Sequence, residues 1–347
     1  MGQIVIAGIG LVNQAGTSIE EFWDSLKQGV TTEKKEPIEF KIDLPSSKLR
    51  RLNRYSKLAL YAVREAQKDA NLDIMDPFRI GTIFTTGYGS MIADVKFCRE
   101  VIQGDPDLCS PTTFAGIVPN SCVGNVCMIQ GYQGVSTVLL GGDNLQYTSI
   151  LLNEKKADII FSGAVEEYCE ELFESIEENN YASGAVVREG TVMFCFTRED
   201  ESKGYCKIIE TSTAGLSCYP LIQKTDEVKA ADTIYMALGA LSKEILSEVD
   251  AVFPTENGTE FDKVEMLELE KYVEKEKIVK GVKYIVGETL GSSYNFNVAA
   301  AALCLQRGEI PKGLLHKEQA ISSIHTCLVT GYDTAGNYMC SILGNIN

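Results

Sequence analysis

The feature that most constrains the fold is a strand–helix alternation that runs twice through the chain. The first round opens with a strand in QIVIAGI (3–9) and a helix in TSIEEFWDSLKQG (17–29). Ser18 and Glu21 there have capping-box spacing, and Gly29 stands at the helix end. Residues 31–46 are polar and irregular. An amphipathic helix follows over 51–72, then a strand in RIGTIFTTG (79–87), an apolar helix over 117–131 and a strand in STVLL (136–140). A helix after Asn144, the strand ADIIFSGAVE (157–166), a helix near 169–178 and the strand GTVMFCFTRE (190–199) complete the round. The acidic run over 165–178 reads as a solvated helix face. The second round repeats the scheme: strand 205–213, helix 228–245, strand DAVFP (250–254), helix 262–273, strand VKYIVG (282–287) and helix 295–308. Two strands close it, SSIHTCLVTG (322–331) and NYMCSILGN (337–345). This pattern predicts stacked α/β layers with largely parallel central strands, in two similar halves, 1–204 and 205–347.

Composition narrows the function classes. At 45% hydrophobic and 23% charged, the 347 residues are those of an ordinary globular protein. No apolar run approaches the ~18 residues that span a bilayer. The opening MGQIVIAGIG goes directly into a strand, so no signal peptide is expected. The net charge of −16 repels phosphates and excludes nucleic acid as a partner. It equally opposes acidic carrier proteins over most of the surface. Eleven cysteines without a signal peptide read as reduced, mostly packed thiols in a cytoplasmic protein. They show no C-x-x-C spacing, and the only histidines are His316 and His325, so no metal site is expected. GIGLVNQAG (8–16) places Asn13 where a third glycine would complete a nucleotide-binding loop, so no cofactor is expected either.

The stretch GVSTVLLGGDNLQY (134–147) has the form of a nucleophile elbow, a strand turning through glycines into a helix. Its tip carries neither Cys nor Ser. Cys122 and Cys127 lie on an apolar helix and read as core. His325 and Cys327 would share a strand face, but same-face neighbours sit ~7 Å apart, so Cys327 also reads as core.

Five motifs in order resemble the β-ketoacyl synthases, the condensing enzymes of fatty acid and polyketide assembly. They are IVIAGIGLVNQAGTSIEEFWDSLKQG, SPTTFAGIVPNSCVGNVCMIQGYQG, ADIIFSGAVEE, GAVVREGTVMFCFTRE and AAAALCLQRGEIP. The resemblance covers nearly the whole chain, which is about sixty residues shorter than typical members. It implies the thiolase fold, two pseudo-repeated α/β halves in five layers. It also implies a catalytic cysteine at the elbow and two histidines, which drive decarboxylation and stabilise the developing oxyanion. Here the cysteine position falls on Asp143, or nearer Leu139 when counted from the following strand. The histidine positions fall on Pro254 and Glu288. The lysine of the second histidine's segment is retained as Lys283, and the glycine-rich closing loop becomes GYDTAGN, keeping Asn337.

With all three catalytic residues gone, the resemblance implies a chain length factor of the type II polyketide or aryl-polyene kind. Such a subunit pairs with an active ketosynthase as a heterodimer, helps set chain length, and meets the acyl carrier protein through its partner. The elbow strand (Val138, Leu139, Leu140) would then form the twofold interface, and Thr113 and Ile117 would reach the partner's acyl tunnel. Two other readings stay open. Asp143, Glu256, Lys283 and Glu288 could cluster as relocated acid/base groups, or the chain could be a homodimeric acyl-binding module.

Overall fold

The computed structural model describes residues 3–30, 36–72, 76–104, 109–179, 186–198 and 204–346. Its strands are β1 (Ile4–Asn13), β2 (Ile80–Thr86), β3 (Ser136–Leu140), β4 (Ile159–Glu166), β5 (Gly190–Arg198), β6 (Cys206–Gly215), β7 (Ala251–Phe253), β8 (Thr326–Tyr332) and β9 (Asn337–Gly344). The first helices are α1 (Ile19–Gln28), α2 (Ser46–Leu49), α3 (Arg54–Ala70), α4 (Met91–Gln103), α5 (Pro111–Ile117), α6 (Ser121–Gln130) and α7 (Asn144–Asn153). The later ones are α8 (Glu170–Glu178), α9 (Glu227–Gly239), α10 (Lys243–Ser247), α11 (Phe261–Leu269), α12 (Lys283–Val286) and α13 (Ser293–Arg307).

The strand order is β3-β2-β4-β5-β1-β6-β9-β8-β7. Read outward from the middle, β1, β5, β4, β2 on one side match β6, β9, β8, β7 on the other, with the same pairing senses: β2 with β4 and β7 with β8 are parallel, the rest antiparallel. The two sets join through a short antiparallel contact of Ile4–Ile6 with Cys206–Ile208. The expected parallel centre is therefore not found. The strands nearest the middle pair antiparallel, and the parallel pairs lie towards the ends. Strand residues buried on both faces look alike in either sense, so the apolar runs could not distinguish them.

Three hydrophobic cores separate five layers. One lies between α3, α6 and the first strand set, one between the second set and α9 with α11, and a central one holds α7 and α13 between the two sets. α13 is buried on every side from Ser293 to Leu305, which its run of alanines permits. The small residues of β1 do similar work: a Cβ on Gly10 would sit 2.0 Å from the Ala62 carbonyl oxygen, so α3 lies directly on the strand.

Three local expectations change. The helix expected over 117–131 begins only at Ser121, as α6, because Pro119 separates it from α5, an unexpected helix that ends at Ile117. VKYIVG is the short helix α12 rather than a strand. Val282, Ile285 and Val286 are buried, a three/four spacing, and Gly287 ends the turn at φ +84°. The acidic run divides: α8 is solvated as expected, but Glu166 and Glu167 are buried. The break expected near residue 204 follows 199–203, which lie outside the described residues.

Gly10→Val should leave little folded protein. The branched side chain would have to displace α3, an overpacking cost of about 3 kcal/mol or more, read as loss of soluble yield or a fall in Tm beside wild type.

Candidate functional site

The site is built where α7 and α13 begin, inside the molecule. At the elbow, Gly141 and Gly142 take φ +77° and +94°, which reverses the chain out of β3. Asp143 follows as the N-cap of α7. Its Oδ1 accepts the amides of Leu145 and Gln146 at 2.9 and 3.1 Å. Its Oδ2 is buried without a hydrogen-bond partner. Burial pushes the carboxyl up to about 7 despite the two amides that favour its charge. Asp143 is thus a helix cap, at the tip where a nucleophile would stand.

The closing loop meets the elbow from the other strand set. Asp333 Oδ2 accepts the Gly142 amide at 2.5 Å and Asn337 Nδ2 at 2.8 Å. Its Oδ1 accepts the amides of Ala335 and Asn337 at 2.9 and 3.0 Å. Sequence reasoning singled out Asn337 and passed over Asp333. The signal was present: an acidic residue stands in a loop that the resemblance expects to be glycine-rich.

Glu288 and Lys283 form an ion pair at 2.9 Å with each side chain 1 % exposed. Glu288 Oε1 accepts the Leu290 amide at 3.0 Å and Ser293 Oγ at 2.5 Å. Its Oε2 accepts Asn257 Nδ2 at 2.6 Å, and the same Nδ2 lies 2.6 Å from Tyr332 OH. The Lys283 ammonium sits 4.1 Å from the centre of the Tyr332 ring. Asn257 and Tyr332 were not anticipated. They come from the segments carrying the first histidine position and the closing loop, and they enclose the pair.

The remaining expected residues are dispersed. Pro254 accepts Asn297 Nδ2 through its carbonyl at 2.9 Å. Glu256 turns to the Gly281 amide at 2.9 Å, and burial raises its pKa. The described contacts join Lys283 to Glu288 and give Asp143 and Glu256 other hydrogen-bond partners. Cys122 is buried, and its thiol is pushed well up by that burial. Cys127 lies 3.1 Å from Thr82 Oγ1. Cys327 is buried in β8 while His325 stands outside the strand, its side chain 3.7 Å from Asp250.

A second buried carboxylate group adjoins the site. Glu166 accepts the Gly87 amide and Thr86 Oγ1, and burial pushes it up to about 8. Glu167 accepts the Ile92 amide at 2.9 Å and is pushed up to about 7 by burial. The Gly87–Met91 segment is thus held at its start, and just beyond its end, by carboxylates. Among the described residues no cluster of His, Cys, Asp and Glu could hold a metal ion. None of the described helices is long and apolar enough to cross a membrane.

On the outside, β3 is an edge strand paired only with β2 among the described residues. Val138 and Leu139 are half-buried, packing towards opposite faces of the sheet, and Leu140 is exposed. Beside it α5 and α6 border a surface cavity of about 620 Å³ lined by Thr113, Met128, Asn125, Arg50, Arg51 and Lys96, among others. Thr113 lines this cavity. Ile117 is half-buried, and its carbonyl accepts Ser90 Oγ at 3.0 Å.

No family model matches the sequence. The ketoacyl synthase alpha subunit of the tetracenomycin polyketide synthase from Streptomyces glaucescens is 24% identical, over 91% of this chain and 88% of its own. Over nearly its whole length, then, the chain is similar to a polyketide ketosynthase subunit. Among solved structures, the ishigamide ketosynthase/chain length factor superposes with a TM-score of 0.81 at 16% identity, over 99% of both chains. The complex of the ketosynthase ApeO with its chain length factor ApeC from Xenorhabdus doucetiae gives 0.75 at 14%, over 99% of this chain and 98% of that one. The thiolase-like fold expected from the sequence is thereby established for this chain.

Two predictions test the site. Asp143 ordinarily titrates near 3.8 and here near 7, so its folded form holds a proton that the unfolded form releases between those values. It therefore favours folding below pH ~4, and that contribution is lost as pH rises through ~7. Asp143→Asn should flatten this part of a Tm-against-pH profile. Glu288→Gln should destabilise the protein by about 3 kcal/mol, because the Lys283 ammonium is left buried without its counter-charge. K283M/E288Q should recover most of that loss in urea titrations, with the Gln oxygen still accepting from Ser293.

Proposed function

We propose that this chain is a non-catalytic subunit, a chain length factor, which pairs with an active β-ketoacyl-ACP synthase and helps set the length of the acyl or polyene product. The observation that carries the reading is the contrast between a sealed interior and an open flank. Inside, the elbow ends in a capping carboxylate, and the histidine positions hold Pro254 and an ion-paired Glu288. Outside, large apolar side chains stand free on the elements beside the β3 edge: Phe114, Met128, Leu140, Tyr147 and Ile150, with Met128 74% and Leu140 64% exposed. An unpaired strand edge bordered by apolar side chains is a surface for another chain.

Heterodimers of this kind are what the ishigamide and ApeO–ApeC structures are named for. In the proposed pair, β3 lies at the interface with Val138, Leu139 and Leu140, and Thr113 faces the partner's acyl tunnel from the cavity beside α5. The acyl carrier protein then delivers its chain to the partner. Arg50, Arg51 and Lys96 give the cavity rim a positive charge that the −16 total conceals. The halves 1–204 and 205–347 act here as one unit, since α7 and α13 share a single core.

The test is native mass, measured for the chain alone and then after co-expression with the ketosynthase encoded beside it. A stable one-to-one complex is expected, and Leu140→Asp should abolish it while leaving the Tm of the lone chain unchanged. A homodimer that ignores the ketosynthase, or stoichiometric acyl labelling at the elbow, would overturn the proposal.

A further inference from the structure

The four donors around Asp333 do more than hold a loop. Two of them, the Ala335 and Asn337 amides, are local and give an ordinary loop carboxylate its turn. The Gly142 amide is different. It comes from the elbow, 191 residues away in sequence and from the other strand set. All four donors are uncharged N–H groups, and they converge on a side chain 2% exposed. Backbone amides that converge on an anion away from water form an anion site, and an elbow amide directed this way is the element that enzymes use to stabilise an oxyanion.

The elbow and the loop are shaped to each other here. A Cβ on Gly141 would lie 2.8 Å from Asp333 Oδ2 and 2.5 Å from the Ala335 Cβ. Gly336 at φ +80° folds the loop back, and its amide reaches the Asp333 carbonyl at 3.3 Å.

We propose that Asp333 is a built-in carboxylate filling an anion site formed jointly by the elbow and the closing loop, which closes that site to an outside carboxylate or acyl carbonyl. This deepens the reading of the elbow as non-catalytic, and rests on it only for its meaning. The site itself is a property of the single chain, whatever its partner. It would take a small carboxylate, and formate is the fragment that Asp333→Ala removes, since alanine keeps the Cβ.

The experiment compares wild type with Asp333→Ala, titrated with sodium formate against sodium chloride at equal ionic strength. Formate should raise the Tm of the variant saturably and beyond the chloride control, and leave wild type unmoved. Equal responses of the two proteins, or no response from a folded variant, would overturn the proposal. Amide hydrogen exchange supplies a measurement that needs no folded alanine variant. The Gly142 amide of wild type should be protected, and should exchange about ten- to a hundredfold faster in Asp333→Asn, which loses the charge and turns one acceptor into a donor. An unprotected Gly142 amide in wild type sinks the idea outright. A homodimer or an acyl-labelled elbow would defeat the functional proposal without altering either result.

Discussion

The site depends on α7 and α13 beginning inside the protein, between two sets of strands. A helix that starts in water can leave its first amides to solvent, but one that starts in a core must find acceptors within the chain. The surrounding polar side chains are held to the same demand, because a lone charge there would cost several kcal/mol. Side chains at the positions that the resemblance marks as catalytic therefore look for partners within the chain. Asp143 meets the α7 amides, Asp333 meets the elbow, and Glu288 meets Lys283, Asn257 and the start of α13. At these positions hydrogen bonds and packing hold the side chains in place.

The same demand explains why Asp143, Asp333 and Glu288 are carboxylates rather than apolar groups. Amides at a helix start and at a glycine bend are donors, and an apolar side chain would leave them unpaired at about 1–3 kcal/mol each. An acidic residue supplies two acceptor oxygens in the space that a catalytic side chain would occupy. Burial raises Asp143 and Glu166, so part of this charge is neutralised by protons rather than by cations.

Much of this was legible in the chain itself. The doubled alternation gave the two strand sets, and the glycines of GVSTVLLGGDNLQY located the bend. The sense of the central strands was not legible, because residues such as Phe194 and Phe196 are buried whichever way their neighbours run. VKYIVG was misread because six apolar-rich residues fit either period, and only the packing of Val282, Ile285 and Val286 together decides for a helix. Glu166 and Glu167 looked like solvent-facing residues in an acidic run. Their burial follows from the Gly87 and Ile92 amides, which lie about eighty positions earlier. The partnership of Asp333 with Gly142 is likewise a long-range fact that no local window contains.

The mismatch between the two strand sets has a consequence for assembly. The first set carries β3 outside β2, whereas the matching place outside β7 holds only a single bridge of Val252 with Ile278 among the described residues. The sheet therefore has a head without an equivalent tail. A subunit with adhesive edges at both ends can add neighbours indefinitely, and hydrophobic flanks would then make it a fibre. β7 is also an end strand, but Ala251–Phe253 are buried. In the proposed pairing the exposed edge is β3, and two chains meeting by it about a twofold axis would use it up, so growth would stop at two.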